Sequence, residues 1–250
     1  PWTNHRYRSR LHGDLRTPDA AIFQRIWIAV TYTIRRSSCR YINMKPEEVN
    51  NKIKEIKRSF RLMMNGPASQ SMREKGIEYH LNWGVAFMQH RSMAKEIGQD
   101  YHLAIALWKE DIRECKILAT LVMPHDAIPL DIAELWMEQT KSQEMAEMLA
   151  FNLFQYVDYA PAIAYKWMAS NEPACQICAF DIIGRLFMKH QEPNERGINE
   201  FIDQATAALH DASAGVRHAA MNAIIRFADM GLVYERMAKS ATKKAGFDFL

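Results

Sequence analysis

Two carboxylates three residues apart, Glu144 and Glu147, are the simplest candidates for acid and base chemistry in this sequence. On a helix this spacing places both side chains on one face, where one could donate a proton while the other accepts one. The alternative is structural, because carboxylates near the first turn of a helix are favoured by the positive end of the helix dipole. The pattern alone leaves both interpretations open.

Cys175 and Cys178 have the spacing of a redox or metal-binding CxxC motif. A zinc site would need a second CxxC or CxxH pair, and a thioredoxin-like site would need a βαβ pattern around the motif. The sequence has neither nearby, so we expect both thiols to be packing residues and predict no metal and no cofactor. P-loop, GxGxxG and HExxH motifs are absent as well, which argues against nucleotide-fuelled and zinc-protease chemistry.

Basic side chains at the starts of two predicted helices, and one about two turns further along the second of them, could contact nucleic-acid phosphates. For Arg113, the alternative is a surface ion pair with Glu110 or Glu114. These candidates are Arg113, Arg217, His218 and Arg226.

A second basic group lies in the stretch 52–61, the most basic part of the chain after residue 43. It could follow a nucleic-acid backbone, in which case each contact would make binding more salt-dependent. It could equally be an ordinary solvated helix face. Its candidate residues are Lys54, Lys57 and Arg58.

The elements that must position these residues are helices. Glycine and proline are scarce, at 10 and 9 residues of 250, and apolar residues recur at steps of three and four, as in Val49, Ile53, Ile56 and Phe60. Helices are predicted at 49–64, 83–97, 100–109, 112–122, 130–139, 142–156, 159–169, 172–189, 195–210, 213–228 and 233–243.

A repeat is visible in four of these helices. The segments IRECKILATL, MAEMLAFNLF, CQICAFDIIG and VRHAAMNAII share a pattern of small and apolar residues, and their starts are 33, 30 and 41 residues apart. Each follows another helix after a short break. A helix pair of this length buries both faces only by stacking on its neighbours, so we predict an all-α superhelix of HEAT-like helical repeats, an armadillo/HEAT-type solenoid. A globular helical bundle is the alternative.

Composition narrows the cellular context. With 48% hydrophobic residues the chain can form a core, and four cysteines are too few for a disulfide framework. We therefore expect a cytoplasmic protein. The longest apolar run, 26–34, is about half the length that crosses a bilayer, so no membrane partner is predicted.

The first 43 residues differ from the rest. They hold eight Arg, no Lys and two Asp, a net charge of +6, which leaves −3 for residues 44–250 given the overall +3. We predict that 1–43 is an Arg-rich leader outside the native protein and that 44–250 is the HEAT-like repeat domain. A transit-type leader and a basic arm are the alternatives.

The blocks 71–85 and 93–124 resemble the AlkD-like DNA alkylation repair family. The resemblance rests on the Gly84-Val85 turn, the helix Leu103 to Trp108 and the Arg113-Glu114 pair, and it extends more weakly to about Phe227. It implies a superhelix whose concave basic face cradles duplex DNA. Active members of the family excise N-alkylated purines, using an Asp for charge stabilisation, Trp faces for cation–π contact and an Arg for the phosphate.

This sequence departs from that pattern at each of those positions. The resemblance places Gln143 at one family Trp, Glu147 at the catalytic Asp, Gln176-Ile177 at the Arg, and Asn222 near a further Trp. We therefore expect DNA binding through Arg113, Arg217, His218 and Arg226, weak excision at most, and Glu147 as the one candidate for charge stabilisation. The alternative is a catalytically inactive repeat module that binds branched DNA or a protein partner. A monomer is expected.

Overall fold

Twelve α-helices and one short 3-10 helix form the regular structure of residues 46–77 and 79–250, the part of the chain that the computed structural model describes. The all-α prediction is confirmed. The helices are α1 (Pro46–Leu62), α2 (Gly66–Glu74), α3 (Phe87–Ile97), α4 (Tyr101–Trp108), α5 (Arg113–Val122), α6 (Leu130–Glu138), α7 (Gln143–Asn152), α8 (Ala160–Met168), α9 (Pro173–Met188), α10 (Glu195–Ala208), α11 (Ala214–Ala228) and α12 (Leu232–Lys244).

The first helix forms as its apolar stripe predicts. Val49, Ile53, Ile56 and Phe60 are buried, while most of the Lys and Glu side chains between them are exposed. Glu47 and Glu48 lie in the first turn of α1, where carboxylates favour the helix dipole. The buried stripe packs against α4.

The four predicted repeat segments are the second helices of successive pairs, and they lie side by side in chain order. Helix α5 packs on α7, α7 on α9, and α9 on α11, while α4, α8 and α10 each pack on the helix that follows them. This is the stacking predicted for a solenoid. The interface of α9 with α11 is the most extensive, and Gly184 brings the two backbones close together at Ala223.

Hydrogen bonds between neighbouring pairs recur at nearly constant sequence separation, about one repeat length. The bonds are Trp108 Nε1 to Gln139 Oε1 (2.8 Å), Asn152 Nδ2 to Thr120 Oγ1 (2.9 Å), Tyr159 OH to the Ile128 carbonyl (2.9 Å) and Tyr165 OH to the Gly197 carbonyl (2.9 Å). Their separations are 31, 32, 31 and 32 residues. Each unit is therefore joined to the next in a similar way, as expected for stacked repeats.

Two predicted helix boundaries are wrong, and one helix was not predicted. The helix predicted at 142–156 ends at Asn152, because Leu153 leaves helical geometry (φ −131°, ψ −65°) and a 3-10 turn follows. The helix predicted from 83 begins at Phe87, and α2 was missed altogether. Asn65 caps α2 by accepting from the Ala68 amide, with a proline in the first turn.

The described residues belong to one unit, Asn43–Leu250. The predicted leader, residues 1–43, lies outside the described residues. None of the helices in the described part combines the length and the apolar character needed to cross a bilayer.

Candidate functional site

The start of α5 is tied to the start of α7 by a two-point ion pair. Arg113 donates from Nε to Glu144 Oε2 (2.9 Å) and from Nη2 to Glu144 Oε1 (2.5 Å). Its side chain is only 5% exposed. This paired geometry is the strongest that a guanidinium and a carboxylate can form.

A second carboxylate, Glu114, is fully buried beside this pair. It accepts hydrogen bonds from the backbone amides of Trp83 (3.2 Å) and Val85 (3.3 Å), and from Arg113 Nη1 (3.3 Å). The 83–85 segment is not helical because these amides bind Glu114. Arg113 and Glu114 therefore fix the N-terminal part of the fold to the repeats.

The sequence predicts that Arg113 contacts a phosphate, but the guanidinium of Arg113 is already paired with carboxylates. The side chain is shared by two carboxylates, so a phosphate could reach it only by displacing Glu144. The ion pair proposed as the alternative is present at Glu114, but it is buried rather than exposed at the surface. Glu110 pairs instead with Lys57, at 2.6 Å.

Buried polar groups surround the Arg113–Glu144 pair. Tyr79 OH lies 3.1 Å from Ser142 Oγ, and burial raises the pKa of Tyr79 to about 12. His90 is fully buried, with Nδ1 donating to the Ala86 carbonyl (3.1 Å), and burial lowers its pKa. At neutral pH both side chains are uncharged, which suits a structural cluster.

The first turns of α7, α9 and α11 converge. Gly215 of α11 lies against the side-chain ends of Gln143 from α7 and Ile177 from α9, where an added Cβ would come within 2.5 Å and 2.9 Å of them. Gln143 also donates to Glu147 Oε1 at 2.7 Å. The starts of three second helices therefore share one surface, and Glu147 lies on it.

Next to Glu147 is a cleft of about 180 Å³ between α7, α9 and α11. We call it the three-helix cleft. Its polar and aromatic lining comes from all three helices, over a floor of Gly184 and Ala223. The lining side chains that matter below are Phe151, Asp181, Arg185, Asn222 and Arg226.

Asp181 has the most perturbed carboxyl group of this surface. Burial, reinforced by the negative charge of Glu147 and opposed by Arg185, raises its pKa from 3.8 to about 7. Its Oδ2 is buried and has no hydrogen-bond partner among the described residues. A group that gains or loses its proton near neutral pH is a frequent mark of a functional site.

Two arginines lie at the rim of the three-helix cleft. The Arg185 guanidinium carbon lies 4.5 Å from the ring centre of Phe151, within cation–π distance. Arg226 is exposed and forms a 3.3 Å ion pair with Asp229. The cleft thus combines one titrating carboxyl with two guanidinium groups.

None of the tryptophan rings among the described residues is exposed beside the three-helix cleft. The described tryptophans, Trp83, Trp108, Trp136 and Trp167, are at most 6% exposed. Trp108 and Trp136 stack on each other with ring centres 4.2 Å apart. The aromatic faces that a cationic base would need are used in packing.

The remaining predicted basic residues are mostly exposed. Arg217 Nη1 donates to the carbonyls of Asp211 (2.7 Å) and Ala212 (2.9 Å), so no carboxylate of the described chain is seen to neutralise it. His218 follows it on α11 and is exposed. On α1, Lys54 and Arg58 are exposed, whereas Lys57 is held by Glu110.

Cysteine and metal chemistry find little support in the described residues. No group of three or more potential metal ligands occurs among them. Cys178 is fully buried, and burial raises its thiol pKa well above the ordinary value. A thiol in this state is a poor nucleophile and a poor metal ligand.

Sequence reasoning missed Asp181 and Arg185. A signal was present, because Asp181 interrupts the apolar segment CQICAFDIIGRLF of α9. An acidic residue in a buried helix is rare unless it is paired or functional. The family resemblance pointed instead to Gln176, whose side chain donates to the Ser170 carbonyl.

Comparison with known proteins identifies a family and a solved structure of similar fold. The family described as DNA alkylation repair enzyme matches residues 50–230. A solved structure, from a new family of proteins related to the HEAT-like repeat DNA glycosylases with affinity for branched DNA structures, is similar in fold. It has a TM-score of 0.69 and 16% sequence identity, over 77% of this chain and 82% of that chain. No curated protein matches significantly.

Proposed function

Because this chain belongs to the DNA alkylation repair enzyme family, we propose that it binds DNA through the basic side chains of α11 and does not excise alkylated bases efficiently. The backbone contacts come from Arg217, His218 and Arg226 of α11. The observation that carries the proposal is Arg217, which is exposed, held in position by two backbone carbonyls, and not neutralised by a carboxylate of the described residues. The affinity of the structural neighbour for branched DNA supports branched substrates.

The chemistry of the surface argues against efficient excision. Expulsion of a cationic base is assisted by aromatic faces that hold it and by a carboxylate placed against the sugar. Here the described tryptophans are buried, and Glu147 has one more methylene than the Asp of the family pattern. Displacements near 1 Å can cost on the order of a hundredfold in rate.

Salt dependence of DNA binding tests the proposal. Each phosphate contact contributes about 0.9 to the slope of log affinity against log salt, so Arg217→Ala should lower that slope by about one. The matched control is Arg196→Ala, which removes an exposed arginine from a first helix, α10. Equal effects of the two variants, or no salt-sensitive binding to duplex or four-way branched DNA, would refute the proposal.

Weak excision is the second candidate function, and Glu147 favours it. Its carboxylate is close enough to Asp181 to raise the pKa of that group, and it could stabilise positive charge on a sugar. Release of methylated purine from alkylated duplex, lost in Glu147→Gln, would establish it. Binding without base release supports the first candidate.

A further inference from the structure

The chain turns back after α12 and lies against α11. Gly246 has a left-handed backbone (φ +85°), and its amide donates to the Lys243 carbonyl (3.1 Å). The amide of Phe247 donates to the Thr242 carbonyl (2.8 Å). These two bonds form a Schellman motif, which satisfies the last carbonyls of a helix and ends it. The residues that follow, 247–250, return towards the start of α11 because the helix ends in this way.

A cavity of about 300 Å³ lies between this returning segment and α11. We call it the aromatic pocket. Side chains three or four residues apart on a helix share a face, and one such face of α11 forms a wall of the pocket. Several side chains on that face are exposed, so the pocket is open to solvent. Its lining comes from Ala214, Arg217, His218 and Met221 of α11 and from Phe247 and Phe249 of the returning segment.

The aromatic pocket combines two phenyl rings with a positive charge. Phe247 and Phe249 are half-buried, so part of each side chain remains exposed. The ring of His210 packs against the ring of Phe247, with ring centres 5.0 Å apart. Arg217 is the charged group of the lining, and no acidic side chain of the described residues belongs to that lining. Asp248, between the two phenylalanines in sequence, is exposed and lies outside it.

We propose that the aromatic pocket binds one unpaired DNA nucleotide, whose base stacks on Phe249 and whose phosphate contacts Arg217. The inference rests on the proposed DNA binding and names the element of DNA that the chain recognises. Bases that are already unpaired, as at bulges and branch points, need little energy to leave the stack. Both phenylalanines lie beyond residues 50–230, which match the family, so the pocket is not a feature of the matched region.

A nucleotide suits the aromatic pocket better than an apolar side chain of a protein partner would. The apolar side chain would bury the guanidinium of Arg217 without a counter-charge, which is unfavourable. A phosphate supplies that charge and accepts charge-assisted hydrogen bonds. A guanidinium has five N–H donors, and Nη1 of Arg217 already binds the carbonyls of Asp211 and Ala212. The donors on its other nitrogens can therefore bind a phosphate.

The size and the aromatic lining fit a single base of any type. The volume of about 300 Å³ is at the small end of the range of roughly 300 to 1,000 Å³ found for ligand pockets. Proteins that bind single-stranded nucleic acid commonly combine a basic groove with aromatic side chains on which bases stack. Such stacking tolerates different sequences because every base has a flat π face. We therefore expect the pocket to distinguish a base from no base, rather than one base from another.

The experiment is a fluorescence anisotropy titration at one pH and one ionic strength. The DNAs are a fully paired duplex, a duplex with one bulged adenine, and the same duplex with an abasic nucleotide at the bulge. Stacking of a base on an aromatic side chain raises affinity by about fivefold to a hundredfold. We expect the bulged adenine to bind about tenfold more tightly than the abasic bulge, within that range.

Two variants of Phe249 separate stacking from apolar packing. Phe249→Leu keeps an apolar side chain and removes the flat ring, so the preference for adenine over the abasic bulge should disappear. Phe249→Tyr keeps the ring and should keep the preference. Neither variant removes a charge, so the salt dependence that Arg217→Ala reduces should stay unchanged. The matched control is Tyr156→Leu, which removes an aromatic side chain that is 49% exposed in the 3-10 helix and should leave the preference intact.

The outcomes distinguish this inference from the proposed function. Salt-sensitive DNA binding with equal affinity for adenine and abasic bulges overturns the nucleotide pocket alone, and would favour an apolar segment of a protein as its occupant. A preference that persists in Phe249→Leu, or that Tyr156→Leu abolishes equally, also overturns it. Absence of binding to every DNA tested overturns both.

Discussion

Replacing Asp181 by Asn should stabilise the protein, and the gain should depend on pH. In the folded chain the pKa of this carboxyl is raised from 3.8 to about 7. Below pH 4 the side chain is neutral in both the folded and the unfolded chain, so it adds no penalty. Between pH 4 and pH 7 the unfolded chain gives up the proton while the folded chain keeps it, and stability falls as pH rises. Above pH 7 the penalty is complete.

The loss of folding free energy follows from the difference between the pKa of Asp181 in the unfolded and in the folded chain. About three pKa units at about 1.4 kcal/mol each give about 4 kcal/mol for complete burial. The side chain is partly exposed, and solvent screening reduces this to roughly 2 kcal/mol. Asn removes the ionisation and keeps the shape, so the variant should gain that amount relative to wild type between pH 4 and pH 8.

The assay is urea denaturation of both proteins at half-unit steps from pH 4 to pH 8.5, with Asp203→Asn as the exposed control. The difference in the free energy of unfolding between Asp181→Asn and wild type should grow up to pH 7 and then stay constant. The control should show no such growth. A difference that is flat across the whole range would mean that Asp181 ionises normally, and the reasoning about the cleft would be wrong.

Three further predictions concern stability, each measured by urea denaturation. Glu144→Ala should lower the free energy of unfolding by about 3 kcal/mol, because it leaves the buried guanidinium of Arg113 without its main partner. The control, Glu134→Ala, breaks an exposed pair with Lys166 and should lower it by under about 1 kcal/mol. Similar losses in the two variants would contradict this. Gly84→Ala should cost about 2 kcal/mol or more, since φ is +69° and a Cβ would overlap a backbone oxygen; an unchanged midpoint would count against it. Gly215→Ala should cost about 1 to 3 kcal/mol, and Gln143→Ala in the same chain should recover most of that loss; no recovery would show that Gln143 is not the obstacle.

The fold was largely predictable because its periodicity is local. The stripe of α1 and the small apolar segments of the second helices follow from helical spacing, which a few residues reveal. Helix α2 was missed because its signal is a cap, Asn65 with a proline in the first turn, rather than a stripe. The start of α3 was misplaced because the amides of Trp83 and Val85 bind Glu114, 31 and 29 residues further along the chain.

The candidate site was predictable only in part. The convergence of the second-helix starts follows from the repeat, and Glu147 was found there. The burial of Arg113 was not expected, because its pairing with Glu144 depends on the distance between two helices in different repeats. The importance of Asp181 depends on a cavity formed by three helices, and no local pattern encodes a cavity.

The reach of Gln143 from α7 to Gly215 of α11 has a consequence for cooperativity. In an ideal repeat protein each unit touches only its immediate neighbours, so stability is a sum of unit and nearest-neighbour contributions, and ends can fray one unit at a time. A side chain that passes over α9 joins units that are not adjacent. Unfolding of any one of α7, α9 and α11 removes a contact from the other two, so these three helices should unfold together. Helices near the ends of the domain can unfold earlier and separately.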